Sequence, residues 1–133
     1  MPSYRFIARM WCVVFVVVGC LFLLVPDRLA RLLTESGGAL GLSGTIVAAP
    51  ATLWHVLALS LMGALACLAW LAAREPGERA FGTVIVVAKG ISVAGFIALS
   101  AAHGSIWLLC AGADAFVAAT LLATRPPGRA PSR

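Results

Sequence analysis

The stretch AFGTVIVVAKGISVAGFIALSAAHGSIWLLCAGADAFVAATLLA, Ala80–Ala123, decides the fold of this chain. It contains two apolar runs, Ala80–Ala102 and Ser105–Ala123, separated only by His103 and Gly104. Each is about 20 residues long, enough to cross a hydrocarbon core of ~30 Å as a helix. Where no water reaches the backbone such a run must be helical, so the two form an antiparallel hairpin. Each carries one ionisable residue near its middle, Lys89 in the first and Asp114 in the second. A charge at the centre of a membrane helix costs roughly 2.5–3.5 kcal/mol on insertion scales, so each calls for a partner inside the bundle.

Two further runs of the same kind lie upstream, Ile7–Val25 and Ala51–Ala73. The expected fold is therefore all-α: a polytopic membrane protein whose residues 1–124 form a bundle of four transmembrane helices. Residues 125–133, with three prolines and three arginines, read as a short basic disordered tail. Composition agrees. The chain has 133 residues, of which 62% are hydrophobic and 11% charged, against about 25% charged in soluble domains. The net charge of +5 comes from nine Arg and one Lys against five acids. No basic stripe interleaved with aromatics accompanies it, which excludes a nucleic-acid partner; the partner is the lipid bilayer.

The arginines fall at the edges of the apolar runs. Arg5, Arg9, Arg74, Arg79, Arg125, Arg129 and Arg133 lie on one side of the four-span scheme, and Arg28 and Arg31 on the other. That asymmetry places both termini in the cytoplasm of a bacterial inner membrane. Trp11 and Trp70 near the inner ends of their spans, and Trp54 and Trp107 near the outer ends, fit interfacial belts. Arg5 and Arg9 before an apolar run also fit a signal peptide, and Val17-Val18-Gly19-Cys20 loosely fits a lipoprotein cleavage box. Because the run continues apolar to Val25, an uncleaved first span is expected.

The first loop is the long one. Pro26 stops the first span, Asp27 is placed to cap a helix, and Arg28 to Glu35 form about two turns ending at Gly37. Leu29, Leu32 and Leu33 share a face there, suited to the outer headgroup plane. Gly37 to Ser43 reads as a flexible or re-entrant connector.

In a hairpin centred near residue 103 or 104, Lys89 lies one turn deeper than Asp114, about 6 Å at 1.5 Å per residue. The long Lys stem can span that gap directly, or a water or a hydroxyl of Ser60 or Ser92 can bridge it. A polar clasp that fixes hairpin register, a proton or cation relay, and a Lys89 that snorkels to the inner interface are the three readings of the pair. Small residues surround it: Gly90, Ser92, Ala94, Gly95 and Ala98 on the third span, with Ala111, Ala115 and Ala119 every fourth position on the last. That pattern fits close helix packing or a homo-oligomer.

Cys12, Cys20, Cys67 and Cys110 contain no C-x-x-C and are expected as small buried hydrophobes. Cys20 matches Cys110 in depth, and Cys12 matches Cys67. His55 and His103 belong near the outer face with Asp27 and Glu35, but two histidines without fixed spacing do not make a metal site. No catalytic motif stands out, and no cofactor is expected.

Ala72-Ala73-Arg74-Glu75-Pro76 after the second span, Lys89-Gly90 in the third and Asp114 in the fourth together resemble small bacterial four-helix membrane proteins, broadly the DoxX-like group. The resemblance covers about residues 50–123. It implies a four-helix membrane bundle and, for some of that group, a quinone or thiol redox partner. Three function classes follow: a non-enzymatic accessory or assembly subunit held by a Lys89/Asp114 clasp, a small proton- or cation-coupled transporter using the same pair, and a DoxX-like membrane redox protein.

Overall fold

The computed structural model describes residues 3–46 and 52–126, without the side chains of 52–55 and 57. Among them are five α-helices and no strand: α1 Tyr4–Leu24, α2 Pro26–Ala39, α3 Thr52–Arg74, α4 Arg79–His103 and α5 Trp107–Ala123. Two of these, α1 and α4, are long and apolar enough to cross a membrane; α5 and the stretch of α3 from Ala58 are shorter apolar helices.

Ser3 opens α1, its side chain accepting from the Phe6 amide. Glu78 does the same for α4 through the Ala80 amide. Side-chain acceptors of this kind satisfy amides that have no partner within the helix. α2 starts differently from the Asp27 cap expected: Val25 is the cap residue without a side-chain bond, Pro26 opens the helix and Asp27 falls in its first turn. Proline suits that position because its missing N–H would have no helical partner there.

The long helices close a ring in which α1 and α4 each lie against α3 and α5. Trp11 meets Thr120 and Tyr4 meets Gly82, so α1 runs antiparallel to α5 and parallel to α4. The α1–α3 seam is the tightest. Ala8 of α1 and Ala69 and Ala72 of α3 are fully buried, and Gly19 sits so close that an added Cβ would be 2.9 Å from the Met62 Cβ. α4 and α5 pack side by side, but most of the small residues expected to carry close packing do not line a seam. Gly63, Gly90, Gly95 and Gly112 face open space, and of the four-spaced alanines only Ala111 is buried while Ala115 and Ala119 are exposed.

The first loop is not a loose connector. Helix α2 runs through Gly37 to Ala39, and the chain after it is tied down twice. Thr34 Oγ1 accepts from the Ile46 amide at 3.0 Å. Ser43 accepts from the Ile106 amide through its carbonyl at 2.8 Å, while its own amide donates to Ser105 Oγ at 2.9 Å. The two connections cross at Gly44 and Gly104, with φ of +111° and +103°; a Cβ on Gly104 would meet the Ser43 carbonyl oxygen at 2.7 Å. Both the left-handed backbone and the close crossing require glycine.

Candidate functional site

Lys89 and Asp114 meet directly, with Nζ 2.7 Å from Oδ1. The hairpin geometry that allows this differs from the two-residue turn expected. Gly104, Ser105 and Ile106 form the connection, and Ile106 is drawn inward until it is fully buried, its Cδ1 over Gly37. The register follows. Phe96 stacks on Trp107 with ring centroids 6.0 Å apart, and two helical turns further into the hairpin Lys89 faces Asp114 in the same register. The one-turn offset expected between them is thus absorbed by the inward turn.

Helix α1 lids the pair from across the ring. The Phe15 ring, 2% exposed, lies with its centroid 5.2 Å from Lys89 Nζ. An ammonium over an aromatic face is attracted by the ring quadrupole, more so when both are out of water. Phe15 stacks on Trp11 at 6.1 Å, and Trp11 meets Phe116 edge-on at 6.0 Å. Trp11 Nε1 donates to Thr120 Oγ1 at 2.9 Å, and that hydroxyl in turn reaches the carbonyls of Phe116 and Val117. A continuous layer therefore runs from Thr120 through Trp11 and Phe15 to Lys89 and Asp114.

This layer corrects the reading of Trp11, which is buried in the ring rather than placed in an interfacial belt. Trp70 is exposed, with the Arg74 guanidinium 4.5 Å over its ring. Trp107 is half-buried and its Nε1 has no partner among the described residues. The side chain of Trp54 lies outside the described residues. The ion pair is not equally enclosed: the Lys89 side chain is 6% exposed and that of Asp114 14%. Two crevices, one along α5 from Leu108 to Phe116 and one at Tyr4, are lined by other residues.

The remaining candidates stand apart. Ser60 is exposed on α3, Ser92 is half-buried on α4, and the direct contact closes without either hydroxyl. His103 is exposed at the end of α4, and the side chain of His55 lies outside the described residues. Among the described residues no three His, Cys, Asp or Glu gather as metal ligands. The four cysteines are free thiols, and none is a core residue as expected: Cys20 and Cys67 are exposed, Cys12 and Cys110 half-buried. Arg125 and Pro126, expected to open a disordered tail, are tied to α4, while residues 127–133 lie outside the described residues.

Phe15 and Thr120 were not singled out from sequence, and Trp11 only as a belt residue. Thr120 carried one signal, as the sole hydroxyl within α5. Compared with known protein families, curated proteins and solved structures, the chain matches none.

Proposed function

We propose that this chain is an integral protein of the bacterial cytoplasmic membrane, spanning it with α1, α3, α4 and α5 and with both termini in the cytoplasm. Its role is non-enzymatic, an accessory or assembly subunit whose register is fixed by the Lys89–Asp114 clasp. Large apolar side chains left outside the ring support the membrane reading, among them Phe6 at 61%, Ile91 at 70% and Phe116 at 60% exposure. Only 11% of the apolar window of α4 is buried within the protein, whereas the core helix of a soluble domain is mostly covered. Such a surface in water would be an aggregation liability; in lipid it is the solvated face.

The observation that carries the functional reading is the direct 2.7 Å contact lidded by Phe15. A relay needs its groups reachable by water or substrate, and here the ammonium faces a carboxylate on one side and a ring on the other. The runner-up, proton- or cation-coupled transport, has one observation in its favour: Asp114 is the more open partner. Cells lacking the chain and supplied with the double variant Lys89→Met/Asp114→Leu separate the two. A structural clasp predicts that the double variant complements, because replacing both members by apolar groups leaves no orphaned charge. Failure to complement by a double variant that is folded and membrane-inserted overturns the clasp and puts transport first.

A further inference from the structure

The end of the ring remote from α2 gathers Arg5, Arg9, Arg74, Arg79 and Arg125 around the start of α1, the α3–α4 turn and the end of α5. Two of them converge. Arg125 donates from one nitrogen to the Arg79 carbonyl at 3.3 Å and to Thr83 Oγ1 at 2.5 Å, and Arg79 donates to the Pro126 carbonyl at 3.3 Å. These contacts fix both guanidiniums at the first turn of α4 yet use few of their five N–H groups each. The sole ion pair among the described residues is Lys89–Asp114, so neither guanidinium has a carboxylate within 4.0 Å. Of the nearby acids, Glu78 is engaged in capping the Ala80 amide.

A second observation points into the same place. Tyr4 is 9% exposed; its hydroxyl oxygen makes no hydrogen bond among the described residues and is not itself fully buried. It lies over Gly82, where any Cβ would collide with it, and faces a crevice of about 10 Å³ lined also by Leu121, Leu122 and Arg125. That is room for one water-sized group and no more. The Tyr4 hydroxyl and Arg125 line it, the Arg79 guanidinium is held nearby on the Pro126 carbonyl, and the positive end of a 25-residue helix lies beneath. Just beyond it, Phe6, Val84 and Leu122 are large, apolar and exposed.

We infer that this notch binds the phosphate of an anionic phospholipid headgroup, one phosphate oxygen entering the crevice against the Tyr4 hydroxyl while the others rest on Arg79 and Arg125. Guanidinium forks match phosphate oxygens in geometry and charge. The crevice admits an oxygen but not a whole phosphate, which keeps the rest of the headgroup outside. The exposed apolar side chains beneath supply the surface along which acyl chains lie, and this favours a lipid over a free anion. The inference rests on the membrane reading given above.

Native mass spectrometry of the full chain in a neutral detergent tests it, with phosphatidylglycerol, phosphatidylcholine and inorganic phosphate as separate titrants. One phosphatidylglycerol per chain is expected to bind at least about tenfold more tightly than phosphatidylcholine, which carries the same phosphate but adds a quaternary ammonium that the two guanidiniums repel. Arg79→Gln/Arg125→Gln should abolish that preference, Tyr4→Phe should weaken it severalfold at unchanged melting temperature, and Arg5→Gln/Arg9→Gln should leave it intact. If the Arg79/Arg125 variant does not fold, Tyr4→Phe decides. Equal losses in the two arginine variants would mean diffuse surface charge and overturn the site. Inorganic phosphate binding as tightly as phosphatidylglycerol would overturn the lipid. Carbonate extraction of membranes tests the underlying reading separately: a chain that stays in the pellet but shows no headgroup preference fails only the site.

Discussion

Lys89 and Asp114 cost free energy to place in an apolar ring, and what returns it is local: a 2.7 Å charge-assisted contact and the Phe15 ring over the ammonium. Removing one member strands the other. Lys89→Met alone or Asp114→Leu alone should destabilise the ring by about 2 kcal/mol, between the 3–5 found for broken buried pairs and the smaller values for polar contacts in bilayers. The double variant should recover most of that loss. Melting of the two singles and the double in mild detergent checks this, and singles as stable as the parent would rule out the clasp. Phe15→Leu extends the test. It should cost about 1 kcal/mol more in the parent than in the Lys89→Met background, because the cation–ring attraction exists only in the former. At this scale the sequence was legible where polarity broke an apolar run, as at Lys89 and Asp114. The inward turn of Phe15 and Trp11 was hidden because α1 carries no charged residue from Met10 onward, and a stretch without a polar face does not say which side turns inward.

Between elements, several glycines sit at contacts too close for a side chain, and Gly19 and Gly104 show two kinds of them. Gly19 lies 2.9 Å, measured from its virtual Cβ, from the Met62 Cβ, an atom that cannot rotate away, whereas Gly63 has nothing within 4 Å. Gly19→Ala should therefore loosen the α1–α3 seam by roughly 1–3 kcal/mol. Gly63→Ala should be neutral or slightly stabilising through helix propensity. Thermal shifts of the two variants compared side by side give the answer, and equal values would mean that the seam is not close-packed. Gly104 differs in kind, since its φ of +103° and the Ser43 oxygen both exclude a side chain. Helix existence and approximate length were legible from apolar run length. The small-residue stripe on α5 left its partner open, because Ala111, Ala115 and Ala119 mark a surface where helices can approach without saying that one does, and only Ala111 is buried. The inward turn at Gly104–Ile106 was illegible for another reason: it depends on Ser43, some sixty residues upstream, accepting from the Ile106 amide.

At the scale of the molecule, charge and apolar surface divide along one axis. Arg5, Arg74, Arg79 and Arg125 lie at the end that holds the start of α1 and the α3–α4 turn, while Arg28 and Arg31 lie on α2 at the other. Between the two ends the exposed side chains are apolar, as at Val13, Val87 and Ile91. A bilayer fits that division, because the arginine-rich end stays on the side from which the chain is inserted and the apolar band meets lipid. α2 adds a constraint. Its Pro26 start and its ties to the α4–α5 turn through Ser43 hold it at the end opposite to Arg79, so the two ends must face different compartments if the long helices cross. Reporter fusions after Arg129 and at Gly41 should accordingly give opposite signals, cytoplasmic for the first and periplasmic for the second. A phosphatase active only outside the cytoplasm, paired with a fluorescent protein that folds only within it, reads both. Exchanging Arg74 and Arg79 for Gln should weaken the asymmetry and raise the fraction of inverted chains, whereas Arg28→Gln/Arg31→Gln should leave or sharpen it. The same signal at Arg129 and Gly41 would mean that an even number of segments crosses between them and would overturn the four-span arrangement, leaving the helical ring in need of another solvent for its apolar face.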